Sequence, residues 1–384
     1  MFFLFYLFIL IGCANTSSKS RNVKGPIIDA IVNGNNNDLR RVVIDNMGQV
    51  DAEIDDGLNP LLWAVNNNNL EAVDILLKFG ANVNFTAIVE DEFIGPPLVD
   101  SALFGFEGIS ERLIRSGADT SYGKENGYSA LHAACEHNRE GVVRLLLNEG
   151  ANVNIKTEDS LYTPLHLAAE RNLVNIIAIL IDHNAIVDEK GVFGIAPIHL
   201  ACIQSNIDAA KELIRNGANI YEKTALACPG MEVKTPLDIA AFNGDEAIVQ
   251  LLINNKVLDN NFDSTLFIVC STNKNKILQL IINSYQQIMY YRCELVYVAC
   301  EKGHLEIIKT LIRSGARLHF KKNGLTPIHI ACQNGHTEVV RELMDSGASI
   351  MDINERGENL MITALQNRNG ELIDLLMRAG VKTR

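Results

Sequence analysis

The sequence predicts an all-α protein built as a solenoid of about eleven helix–turn–helix units. Three observations predict it. One phrase recurs: SALHAAC at 129–135, TPLHLAA at 163–169, APIHLAC at 196–202, TPLDIAA at 235–241 and TPIHIAC at 326–332. A glycine-led phrase follows it at a fixed distance, as GANVN at 80–84 and 150–154, GADT at 117–120, GANI at 217–220, GARL at 315–318 and GASI at 347–350. The repeat period lies near 33 residues, which marks an array of stacked supersecondary units. Composition agrees with a packed chain: 47% of the 384 residues are hydrophobic and 21% are charged, too apolar for a disordered polymer.

The chain opens with MFFLFYLFILIG, residues 1–12, an apolar run about as long as a signal-peptide core and too short for a membrane span. The polar stretch ANTSSKSRNVKG follows at 14–25. Leu10-Ile11-Gly12-Cys13 between them resembles the lipobox of bacterial lipoproteins, in which the cysteine is acylated and becomes the new N-terminus. That resemblance implies a signal peptide over 1–12, lipidation of Cys13 and a polar tether over 13–25. The run before Cys13 carries no Lys or Arg, a departure from the usual pattern. A plain cleaved signal or an uncleaved anchor remains the alternative.

The array then occupies 26–384. Aligning units on the proline of the repeated phrase gives anchors at Pro26, Pro60, Pro97, Ala130, Pro164, Pro197, Pro236, Thr265, Leu295, Pro327 and Leu360. Proline suits the first helical turn, where its missing N–H has no partner to lose. Thr163, Thr235 and Thr326 precede it as N-caps. A short first helix of small residues follows, such as Leu165, Leu167, Ala168 and Ala169. A second helix shows one buried face, for example Val142, Val143, Leu145 and Leu146. Twenty residues past the anchor, Gly80, Gly117, Gly150, Gly217, Gly315, Gly347 and Gly380 supply the left-handed helix stop. Gly57, Gly127, Gly194, Gly324 and Gly357 turn the chain toward the next unit.

These phrases resemble the ankyrin repeat, with its Thr-Pro-Leu-His-x-Ala signature. The resemblance implies an ankyrin-repeat solenoid in which paired antiparallel helices stack and short β-hairpin-like fingers project at one side. It also implies that the repeat histidine ties its turn to neighbouring backbone. Three places depart from the pattern. The unit at Pro60 is lengthened around Ile88–Gly95, with Glu90, Asp91 and Glu92. The unit at Pro197 gains residues within 224–234. The units at Thr265 and Leu295 are shortened to spacings of 29 and 30 and show no recognisable finger. Insertions are expected in loops, because stacked helices cannot absorb them.

Several residues that look chemical have a structural reading. Cys135, Cys202, Cys270, Cys300 and Cys332 each stand five residues past an anchor, where other units carry Val65, Ala102, Ala169 and Ala241. The position asks for a small buried residue, and cysteine packs as one. No CxxC pair suggests zinc. Cys228, in the inserted segment, is the thiol expected to be exposed. His132, His166, His199 and His329 recur once per unit, as a catalytic histidine has no reason to do. His304 and His336 fall in inter-helix turns, and Trp63 at a core position. Asn35–Asn37 and Asn66–Asn69 suit turns. Asp51, Glu53, Asp55 and Asp56 form an acidic loop without the spacing of a calcium site. No phosphate loop, Ser-His-Asp order or isolated carboxylate pair is present. The expectation is therefore no catalytic residue, no metal and no cofactor.

Charge and repeat phase narrow the function. The net charge of −12 excludes sequence-independent nucleic-acid binding. Residues 1–220 hold 28 acids against 16 bases, and 221–384 hold 18 of each, so the first half favours cationic partners. The ankyrin resemblance implies a protein partner on a concave face made by finger tips and the ends of the first helices. By phase that face carries Asp56, Asn66, Tyr128, Glu136, His137, Tyr162, Glu170, Arg171, Phe193, Gln204, Gln333 and Asn334, with Tyr128, Tyr162 and Phe193 as an aromatic track. The functional expectation is a non-enzymatic protein–protein interaction scaffold, exported and held by a lipid anchor at a periplasmic or cell-surface membrane. The open alternatives are a secreted effector acting in a host cell, and the targeting arm of an enzyme.

Overall fold

In a computed structural model of the chain, the structure describes residues 26–52, 58–89, 92–123, 126–225, 234–255, 262–285 and 294–382. The expected leader, the tether with Cys13, Glu53, Asp55, Asp56, Glu90, Asp91 and Cys228 lie outside them. The chain forms two compact bodies, one ending at Asp159 and one beginning at Ser160. Units 1 to 4 belong to the first and units 5 to 11 to the second.

Among the described residues there are 22 helices, two per unit. The first helix starts at the anchor in nine units: Pro26, Pro60, Pro97, Ala130, Pro164, Pro197, Pro236, Pro327 and Leu360. In the two shortened units it starts slightly earlier, at Asp263 and Glu294. The second helix starts ten residues past the anchor in every unit, from Asn36 in the first to Gly370 in the last. Within each body, first helices pack on neighbouring first helices, and second helices on second helices.

Local chemistry explains this regularity. The first helix Pro164–Glu170 buries Pro164, Leu165, His166, Leu167, Ala168 and Ala169, leaving little of it to solvent. Ala133 and Ala134, Ala168 and Ala240 and Ala241 are fully buried, and such small side chains let adjacent helices approach closely. The second helices bury one stripe, as Val142, Val143, Leu146 and Leu147 do in Glu140–Asn148. After them Gly80, Gly150 and Gly217 adopt φ of 88°, 85° and 87°, the left-handed stop. Unit 5 has no glycine there. Asn184 takes φ 67° instead, as the amide side chain tolerates.

The departures fall between helices. In the lengthened unit, strand β1 (Ala87–Val89) pairs antiparallel with β2 (Glu92–Ile94) in the register Ala87–Ile94, Ile88–Phe93, Val89–Glu92. The insertion after unit 6 begins and ends on the bridge between Thr224 and Lys234. The shortened units keep full helix pairs, Asp263–Ser271 with Asn275–Ser284 and Glu294–Lys302 with Leu305–Arg313. Their Leu266, Val269, Val296 and Ile308 join one apolar core that extends from Cys202 to Val381. Cys135, Cys202, Cys270, Cys300 and Cys332 are buried free thiols. Burial pushes Cys270 and Cys332 up to about 12, so both stay protonated and inert at neutral pH. Trp63 is buried in its first helix.

Candidate protein-binding face

In units 4 to 7, 9 and 10 a polar side chain two residues past the anchor ties the finger: His132, His166, His199, Asp238, Tyr297 and His329. In unit 5 the Thr163 N–H donates to His166 Nδ1 (3.1 Å), and Thr163 Oγ1 lies 2.8 Å from the same nitrogen. His166 Nε2 lies 3.0 Å from the Ile195 carbonyl of the next finger. A nitrogen that accepts a backbone N–H carries no proton, so Nε2 holds it and donates to the carbonyl. His199 repeats the arrangement, accepting from Ala196 N (3.1 Å) and donating to the Glu222 carbonyl (3.0 Å). Burial holds the His199 imidazole below its ordinary pKa, against the opposing pull of that carbonyl and of the Glu222 charge. In the first body His132 accepts from Ser129 N at 3.1 Å. His329 lies 2.6 Å from Thr326 Oγ1. All four histidines are fully buried.

Two units use other chemistry at this position, which sequence reasoning missed. Asp238 accepts from Thr235 N (3.1 Å), Ser264 Oγ (2.9 Å) and Thr265 Oγ1 (2.6 Å). Ser264 and Thr265 open the first helix of shortened unit 8, so the neighbour presents hydroxyl donors where other neighbours present a carbonyl. In unit 9 the Tyr297 hydroxyl reaches the carbonyls of Phe320 (3.0 Å) and Leu325 and accepts the Lys322 N–H (2.6 Å).

A second set of ties closes the inter-helix turns. Asn206 Nδ2 donates to the carbonyls of Ala169 (3.0 Å) and Glu170 (2.7 Å), and Asn243 Nδ2 does the same to Cys202 and Ile203 (3.1 Å each). His304 Nε2 meets Ser271 O and His336 Nε2 meets Glu301 O, each at 3.0 Å, which gives both a structural role. Carbonyls left open at the ends of the first helices of units 5, 6, 8 and 9 are thus satisfied by the next unit.

The expected contact residues divide on this frame. Asp56 lies outside the described residues. In the first body Asn66 is half-buried. Tyr128 stacks on His132 with ring centroids 5.6 Å apart, and its hydroxyl donates to Glu136 at 2.5 Å. His137 Nδ1 donates to the Ala133 carbonyl of its own helix (3.1 Å). In the second body Tyr162 lies parallel to His166, centroids 5.0 Å apart. Its other neighbour is Gly191, where any Cβ would fall 2.7 Å from the Tyr162 ring. Tyr128 and Tyr162 are therefore half-buried packing residues as well as surface ones. Phe193 is the aromatic residue that stands out, 65% exposed. Arg171, Gln204, Gln333 and Asn334 are exposed, and Gln204 Nε2 reaches Glu170 at 3.4 Å. Leu161, exposed at the adjacent finger tip, was not anticipated. Its signal was present: it stands three residues before its anchor, where five other units carry glycine.

Comparison with known proteins decides the family. The description "Ankyrin repeats (3 copies)" matches residues 156–224, 198–292, 237–322 and 295–384, and "Ankyrin repeat" matches 56–87 and 126–158, together well over half the chain. The chain belongs to the ankyrin-repeat family. Among similar proteins, the putative ankyrin repeat protein FPV031 of fowlpox virus (strain NVSL) is 28% identical over 225 residues, 56% of this chain and 51% of that protein. Human ankyrin repeat and SOCS box protein 16 is 27% identical over 180 residues, 47% of this chain and 31% of that protein. A putative ankyrin repeat protein of Rickettsia felis (strain ATCC VR-1525 / URRWXCal2) is 30% identical over 131 residues, covering 34% and 44% of the two chains. The chain thus spans about half or less of the length of these relatives. The solved ankyrin repeat domain of Bcl-3, a member of the IkappaB protein family, superposes with a TM-score of 0.52 at 23% identity, over 60% of this chain and 99% of that one. That likeness bears on the fold. Ankyrin arrays are in general non-catalytic interaction scaffolds, and this ankyrin chain has the tied frame such a role needs. Among the described residues no group of three or more His, Cys, Asp or Glu is placed to hold a metal ion. None of the described helices is long and apolar enough to cross a membrane.

Proposed function

We propose that the chain is a protein-binding scaffold that holds its partner on the fingers and the exposed ends of the first helices. The observation that carries this reading is the contrast between frame and surface. His166, His199, Asp238 and Tyr297 are buried and hydrogen-bonded to the next unit. The surface positions beside them change from unit to unit: half-buried Glu170 with exposed Arg171, then exposed Gln204, then exposed Gln333 and Asn334. A constant frame with a varied rigid surface suits recognition of one particular partner. Residues 26–159 hold 22 acids and 9 bases, a net of 9 − 22 = −13, so a basic partner surface fits the first four units.

The membrane part of the reading rests on sequence alone. Acylation at Cys13 would place the array at a membrane surface, with residues 1–12 removed as the leader. An acyl probe should label the full-length protein and lose that label in Cys13→Ala; label that persists contradicts the anchor. For the binding face, the full chain serves as bait, and a captured protein is re-tested against Arg171→Ala/Gln204→Ala. An affinity loss of about tenfold without a change in melting temperature supports the face. Unchanged affinity contradicts it.

A further inference from the structure

Two neighbouring finger tips use residues that their backbone does not favour. The comparison lies within the molecule. In unit 10 the turn Lys322–Leu325 is closed by two backbone hydrogen bonds, Lys322 N to Leu325 O at 3.0 Å and Leu325 N to Lys322 O at 3.1 Å. Its central residues are Asn323 (φ 49°) and Gly324 (φ 71°), a left-handed pair that Asn-Gly adopts readily. The tip of unit 6, Val192–Ile195, makes the same turn, with Ile195 N donating to Val192 O at 3.2 Å. Its central residues are Phe193 (φ 57°, ψ 16°) and Gly194 (φ 72°). Beside it Leu161 takes φ 55° where other tips have glycine. The two tips adjoin, because Val192 N donates to Ser160 O at 2.9 Å.

A bulky residue in the left-handed region is strained, and such strain persists where surrounding structure or function demands it. Packing does not account for it here. Phe193 is 65% exposed and Leu161 is 40% exposed, so neither side chain offsets its backbone cost by joining the core. We propose that Leu161 and Phe193 form a paired apolar knob that seats in an uncharged apolar pocket of a folded protein partner. This rests on the scaffold reading above and names the anchor of that face. The shape sets the occupant. A side chain on a projecting turn cannot cradle a peptide; it needs a concave acceptor. The charge agrees. Lys190 on the same finger is already paired with Glu222 at 2.6 Å, and residues 160–384 hold 24 acids against 22 bases. A lipid surface would call for a basic excess around the knob.

The test uses the full chain with Phe193→Asn, Leu161→Gly and both together. Because Asn and Gly suit these backbones, all three variants should melt at or above the wild-type temperature. Melting several degrees lower would mean the side chains serve packing and would overturn the proposal. β-Cyclodextrin, an uncharged apolar cavity, is the first probe. Saturable shifts of the Phe193 ring resonances in phenylalanine-labelled protein, with binding lost in Phe193→Asn, support the knob. Absence of binding, or binding undiminished in the variant, overturns it. The partner captured by the wild-type chain is the second probe, and the double variant should weaken its binding about tenfold. If that partner binds the double variant normally yet loses affinity to Arg171→Ala/Gln204→Ala, the scaffold stands and the knob fails. Phe193-dependent sedimentation with phosphatidylcholine–phosphatidylglycerol vesicles would assign the knob to a lipid surface and also overturn the proposal.

Discussion

Units 5 and 6 and units 7 and 9 solve the same problem in different ways. In the regular pair, His166 and His199 accept from their own cap and donate to a carbonyl of the next finger. In unit 7 the next unit begins its helix early, at Asp263, and offers the hydroxyls of Ser264 and Thr265. An imidazole N–H would face donors there; the Asp238 carboxylate accepts from all of them. In unit 9, Tyr297 spans to the finger at Phe320–Leu325 with a longer side chain. The difference teaches that the tie residue is chosen by what the neighbouring unit presents. The repeat signature describes the commonest neighbour and not a fixed requirement.

Swapping polarity should break this rule most severely. His166→Asp would bury a carboxylate against the Ile195 carbonyl and remove the donor, at a cost of about 3 kcal/mol or more in chemical unfolding. If the swap costs no more than a surface mutation, the tie is not setting the finger. Asp238→Ala should come next, at about 2–3 kcal/mol, because the Thr235 N–H and the buried Thr265 hydroxyl lose their acceptor. Local hydrogen exchange should rise at 263–266. Tyr297→Phe removes one hydroxyl and should cost about 1–1.5 kcal/mol, read from the same denaturation curves.

Acid should separate the two regions more gently. Burial lowers the pKa of His199 and of His329, the latter against the pull of Asp352. The unfolded chain therefore binds protons that these folded histidines do not. Their contribution is complete above the ordinary histidine value near 6.5 and is lost as pH falls from there toward the lowered folded values. Stability should fall by about 1.4 kcal/mol per pH unit for each histidine in that window. His199→Gln should flatten the profile, and Tyr297→Phe should leave its shape unchanged. A profile indifferent to His199 contradicts the neutral, bridging imidazole.

Much of the fold was legible in the sequence. Pro164, Pro197 and Pro327 marked helix starts, and the cysteines at the small buried position are buried thiols. These features depend on contacts that recur in every unit, so repetition amplifies them. The site was less legible because it depends on contacts made once. Asp238 stands where the phrase elsewhere carries histidine, and the phrase alone does not show the Ser264 and Thr265 hydroxyls that it meets. Tyr128 and Tyr162 read as part of an aromatic track, and phase alone does not show that their rings rest on His132 and His166. Leu161 was passed over because a missing glycine is a weaker signal than a present one, although its positive φ carries the information.

Hydrogen exchange on the full chain, alone and saturated with a captured partner, tests the scaffold most directly. New protection is expected at the finger around 190–195 and at the first-helix ends near 169–172 and 202–206, with the second helices unchanged. Protection confined to second helices such as Ile207–Arg215 and Glu246–Asn254, with the fingers exchanging as before, would contradict it.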